Sequence, residues 1–139
     1  MTEKYKILAK FVKDMSSETP DVDTYLFVKD NISNYTLNID IKTKRLKDKI
    51  YQIETTLGYS DKTQSTKKSF FEMIFVTVIR LNEDLKGNDL AKVVLSDLQN
   101  EIYPELEKIF LNVLQGSGYP ELTFSKKIDF DELYKKNKN

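Results

Sequence analysis

The chain of 139 residues contains no cysteine and no histidine. Without thiols there is no disulfide framework, no thiolate metal site and no thiol nucleophile. Without imidazole, nucleophilic triads and most zinc or haem ligation are excluded. Glycine is scarce, at Gly58, Gly87, Gly116 and Gly118. These four build no phosphate loop, so no nucleotide site and no cofactor is expected. A surplus of charge is also missing, because 22 Lys and Arg balance 22 Asp and Glu. A chain without net charge favours neither nucleic acid nor an anionic membrane through any large field. The longest apolar run, residues 69–81, contains Glu72 and Arg80, and it falls well short of the roughly 20 residues that span a bilayer. The opening stretch MTEKYKILAKFVKDMSS has no continuous apolar core and no small-residue cleavage site, so it is not a secretory signal. The expectation is a soluble, cytoplasmic protein with no nucleic-acid partner and no direct membrane insertion.

What is present suits one domain, residues 1–139, with a mobile basic tail KKNKN at about 135–139. At this length folding buries roughly two thirds of the unfolded surface, enough for a core. The first half alternates at period two. Tyr5, Ile7, Ala9 and Phe11 share one face of residues 5–15. Tyr35, Leu37, Ile39 and Ile41 do so in 35–41, and Tyr51, Ile53, Thr55, Leu57 and Tyr59 in 51–59. Such alternation of strong β formers predicts half-buried strands. TKRLKD and SDKTQSTKK read as turns, and SETPDVDTYLFVKDNISN as a long crossover loop.

The fourth strand, SFFEMIFVTVIRL, is different. One face carries Phe71, Met73, Phe75, Thr77, Ile79 and Leu81, the other Phe70, Glu72, Ile74, Val76, Val78 and Arg80. Leaving Phe71, Met73, Phe75 and Ile79 in water forfeits roughly 6–12 kcal/mol, comparable to the whole stability of a domain. A helix can cover one face; the other calls for a second subunit or an apolar ligand.

The second half changes period. Leu90, Val94, Leu98, Ile102, Leu106, Ile109, Phe110 and Val113 form one helical stripe. Asn88 is its expected N-cap and Gly116 with Gly118 its end. Pro104 should kink it or break its hydrogen bonding locally. Asp129 and Glu132 read as the capping box of a short last helix with Phe130, Leu133 and Tyr134 on its apolar face. The predicted fold is α+β: a four-stranded antiparallel sheet, a long kinked helix and a short C-terminal helix.

Several motifs in this order resemble one family. They are Lys13-Asp14-Met15-Ser16 with Glu18 and Pro20, Phe27-x-Lys29-Asp30, and Phe70-Phe71-Glu72 leading to Phe75, Val78 and Leu81. Gly118-Tyr119-Pro120-Glu121-Leu122, Ile128-Asp129-Phe130 and Leu133-Tyr134 complete the set. Together they are similar to the bacterial export chaperone SecB across almost the whole chain. The chain departs from the pattern at Thr77 (usually Gly), Ile79 (usually aromatic), Glu105 and Glu107 beside Pro104, and Lys127 (usually Pro).

The resemblance implies a homotetramer, a dimer of dimers in which outer sheets enclose the long helices. It further implies an ATP-independent holdase that binds unfolded precursor proteins and delivers them to the translocase ATPase SecA. The SecA contact it implies comprises Asp14, Glu18, Phe70 and Glu72; the client groove it implies draws on Tyr25, Leu26, Phe27, Phe130, Leu133 and Tyr134. The plainer alternatives are a solvated sheet face and six residues that only pin a loop and a helix to the core. A SecB-like adaptor dedicated to one partner, as in a toxin–antitoxin pair, is the second function. An enzyme is not expected: Asp129, Asp131 and Glu132 could form an acid–base set, but the first and last cap a helix and Asp131 favours its positive end. No metal site is expected either, since LNEDLKGNDL lacks the oxygen-ligand spacing of a calcium loop.

Overall fold

The alternating runs do pair, and the pairing runs further than their apolar positions suggest. The computed structural model describes residues 4–63, 66–124 and 127–137. Among these the chain runs β1 (Tyr5–Glu18), α1 (Val22–Asp30), a 3-10 turn (Ile32–Asn34), β2 (Tyr35–Lys47), β3 (Ile50–Asp61) and β4 (Phe70–Leu81). It continues through α2 (Gly87–Lys92), a π-helical turn (Val93–Asp97), α3 (Leu98–Gly116) and α4 (Phe130–Asn137). The strands form one antiparallel sheet in the order β1-β4-β3-β2. TKRLKD is therefore mostly strand, and the β2–β3 turn shrinks to Asp48 and Lys49, the latter at φ 61.

Two bulges in β1, between Ile7 and Ala9 and between Val12 and Asp14, reset the side-chain phase. Tyr5 and Ile7 face inward with Leu81 and Ile79, whereas Ala9 and Phe11 turn outward with Val78 and Val76. The single face read from the sequence is thus split between both sides of the sheet.

β1 and β2 are the two edges, so the connection between them crosses the width of the sheet. It is not a structureless loop. Asp21 accepts the Thr24 amide at 2.8 Å and caps α1, whose Thr24 and Val28 are buried. Hydrogen bonding from the Thr24 hydroxyl, and then from its amide, holds the Asp21 carboxyl below its ordinary value. An Asp N-cap followed by Thr24 and Val28, one turn apart on a buried face, starts a helix where the chain must turn anyway.

The long helix is α2, the π turn and α3 joined end to end, about 45 Å at 1.5 Å per residue. Its N-cap is Lys86, with no side-chain bond, rather than Asn88, which lies inside the first turn. Pro104 sits on the solvent side of α3, where the lost N–H bond costs least. The irregular hydrogen bonding falls upstream. In the π turn the Leu98 N–H reaches back to Val93, and the Gln99 side chain supplies the Val94 carbonyl at 3.3 Å. Gln99 is fully buried and also donates to Thr55 of β3 at 3.0 Å.

Leu98, Ile102, Leu106, Phe110 and Leu114 lie on Phe71, Met73, Phe75 and Ile79 of β4 and Ile53 and Leu57 of β3. The helix therefore covers the face whose exposure would be most costly. Polar contacts fix it along β1: Tyr5 donates to Glu101, Lys10 pairs with Glu105 at 2.8 Å, and Ser17 meets Ser117 at 2.6 Å. Glu105, a departure from the family pattern, thus has a local partner. On the outer face Val76 is buried among its sheet neighbours, but Phe11 is 51% and Phe70 49% exposed. α4 begins as expected, with Asp129 accepting the Glu132 amide at 3.1 Å. The helix takes in residues 135–137 of the expected mobile tail, and 138–139 lie outside the described residues.

Candidate functional site

On the outer face, cross-strand register decides which acids meet. Glu18 stands opposite Phe70, Ser16 opposite Glu72, and Asp14 opposite Ile74. Alternate residues of a strand share a face, so Asp14, Glu18, Phe70 and Glu72 form one surface patch. The second bulge of β1 is what turns Asp14 outward. Asp14 and Glu18 are exposed and Glu72 half-buried. Among the described residues none of the three carboxylates is held in an ion pair. Gly58 lies between Asn38 and Glu72 on the same face. Its missing side chain leaves a hollow of about 330 Å³ floored beside Phe70 and Glu72, with Asp40 on its rim. Neither the hollow nor Gly58 was legible in the sequence, because register between β2 and β4 is not local information.

The six residues of the implied groove separate into three groups. Tyr25 is a pin: its hydroxyl donates to the Gly118 carbonyl at 2.7 Å and its ring lies 5.5 Å from Tyr119. Phe130 is core, 3% exposed and 5.3 Å ring to ring from Tyr103. Leu26 is 51% exposed on α1, Phe27 half-buried, and Leu133 and Tyr134 half-buried on α4. Of the six, Leu133 lines the large cleft.

That cleft, about 660 Å³, opens between the start of β2, the end of β3, residues 123–124 and 127–129, and α4. Its apolar lining is Tyr35, Leu37, Tyr59, Phe124, Ile128 and Leu133. Lys62, Lys127, Lys136, Asp129 and Glu132 edge it with both signs of charge. Tyr59 packs on Tyr35 and Phe124 with ring centroids 5.5 and 5.6 Å apart. Burial pushes the Tyr35 and Tyr59 hydroxyls above their ordinary value, so both stay neutral. Tyr35 is further fixed by the Ser69 amide, which donates to its hydroxyl at 3.1 Å. α4 is fastened to the long helix by a bond from Ser96 in the π turn to Asp131. Asp131 therefore has a structural partner beyond the helix end. The cleft is a neutral aromatic floor with a mixed rim, suited to apolar side chains of varied sequence. Tyr35, Leu37 and Tyr59 carry the strand alternation, and nothing in that pattern separates cleft wall from core.

Known proteins match this arrangement. The family model for preprotein translocase subunit SecB matches residues 1–139. A chain of Pelagibacter ubique (strain HTCC1062), assigned as a protein-export protein SecB, is 50% identical over 140 residues, covering 100% of both chains. Among solved structures, the fold is similar to the Mycobacterium tuberculosis SecB-like chaperone Rv1957, in complex with a ChAD peptide from the Rv1956 HigA1 antitoxin. That likeness has a TM-score of 0.62 at 10% identity and covers 91% of this chain and 92% of that one. Sheet, joined helix and short last helix agree with the full-length family match, and the chain belongs to the SecB family of protein-export chaperones.

Proposed function

We propose that the chain is an ATP-independent holdase that receives unfolded precursor proteins in the aromatic cleft and delivers them to SecA. The observation that carries this reading is the cleft itself: open, apolar at its floor, and bordered by charges of both signs. Each apolar client side chain buried there gains roughly 1.5–3 kcal/mol before ordering costs. One cleft therefore binds weakly and without strict sequence preference. A homotetramer in the cytoplasm presents four such clefts, and a long unfolded client can engage several at once, which multiplies affinity. A client that folds fast leaves; one that folds slowly is retained. The outer patch of Asp14, Glu18, Phe70 and Glu72 is the SecA contact in this reading, with the Gly58 hollow receiving an apolar group of a basic partner segment.

The test is refolding of a slow-folding precursor diluted from denaturant with this protein and no ATP. Arrest near one tetramer per client is expected, and Leu133→Asp should weaken it without dissolving the tetramer. Unimpeded refolding beside an intact wild-type tetramer overturns the holdase. It would move the reading to an adaptor dedicated to one partner, found as a stoichiometric companion on purification.

A further inference from the structure

The outer sheet face is polarised along its strands. Asp14, Glu18 and Glu72 occupy one end. At the other end the register aligns Lys6 with Arg80, Arg80 with Ile50 and Ile50 with Lys47, and Lys44 follows opposite Gln52. The β2–β3 hairpin carries Arg45 to the same end. Among the described residues Lys6, Lys44, Lys47 and Arg80 are in no ion pair. Arg45 is shared with Asp48 at 3.7 Å, both well exposed. Glu83 and Asp84 follow β4 at this end, and Lys86 follows them, so the end stays cationic. Between Arg45 and Lys47 a bulge puts Leu46 out of the ladder, 46% exposed, with a cation on each side.

We propose that this end of the sheet docks on the surface of an anionic lipid bilayer. Lys6, Arg80, Lys44 and Lys47 lie on the outer face of three strands, and Arg45, in register with inward-facing Tyr51, adds its charge at the β2–β3 tip. The cations are thus spread over a surface that fits many phosphates better than a single acidic segment. A leucine at a projecting tip between two cations is the arrangement that seats at the boundary of headgroups and acyl chains. Zero net charge concealed this, because a balanced total says nothing about where each sign collects. No helix among the described residues is long and apolar enough to cross a membrane, and the proposed contact is peripheral.

The experiment is co-sedimentation of the full chain with phosphatidylcholine vesicles made with and without phosphatidylglycerol. Binding should require phosphatidylglycerol and disappear in high salt. The variant K44Q/R45Q/K47Q should bind about a hundredfold more weakly, and Leu46→Ser should weaken binding while keeping its salt dependence. These residues lie outside the cleft, so refolding arrest by the triple variant should match wild type. Equal binding to both vesicles, or a triple variant that binds as wild type, overturns the proposal. Displacement of the protein from vesicles by polyuridylate or polyglutamate at stoichiometric amounts also overturns it, since an anionic polymer would then be the better partner.

Discussion

Gly118 has two reasons to lack a side chain. Its φ of 118° lies where L-residues are strained, and a Cβ there would collide with the Tyr25 ring. The same glycine gives its carbonyl to the Tyr25 hydroxyl, so one residue ends the long helix and holds the crossover helix to it. Gly118→Ala should cost about 3 kcal/mol in chemical denaturation. Adding Tyr25→Ala should relieve the collision but not the backbone strain, so the double variant remains below the single Tyr25→Ala protein. An alanine variant as stable as wild type would refute the close approach. The sequence shows a glycine after a helical stripe and so reveals the terminator. Its second role depends on a residue 93 positions away and leaves no local sign.

At the scale of elements, what repeats is legible and what interrupts is not. Period two located all four strands, and the stripe from Val94 to Phe110 located the helix core. The β1 bulges were hidden because an extra residue changes the phase without changing the composition. α1 carried a usable signal, Pro20-Asp21 ahead of VDTYLFVKD, but its stripe is too short to register as periodic. The π turn has no sequence signature of its own; the clue is Gln99, a polar residue on the apolar face. Its amide serves both Thr55 and Val94. Gln99→Leu leaves a buried hydroxyl and a carbonyl unpaired and should destabilise the fold by about 2–3 kcal/mol. Combining it with Thr55→Val should recover part of that loss in a double-mutant cycle. Strict additivity would mean that the two side chains do not act as a pair.

For the whole molecule, the distribution of charge carries more information than its sum. The acid end of the outer face was recoverable from the family resemblance, residue by residue. The hollow beside it requires the register of three strands. Replacing Asp14, Glu18 and Glu72 with Ala should weaken SecA binding and its salt dependence together while leaving clients bound. Gly58→Leu, which changes no charge and has room for a Cβ, should weaken SecA binding by filling the hollow. Calorimetric titration in which both variants match wild type would assign SecA to another surface. The cleft was legible only in part. The family motif singled out Leu133, which lines the cleft, but the aromatic floor read as strand faces like any other. The strand order has a last consequence, in time rather than in space. Among the described residues β1 pairs with β4 alone, so a strand made before the other three is the last of the four that can be paired. The β2–β3 hairpin closes on its short turn and β4 can add to it, while residues 5–18 wait through a long loop closure. A protein-export chaperone thus carries, during its own synthesis, an unpaired strand bearing Ile7, Phe11 and Val12.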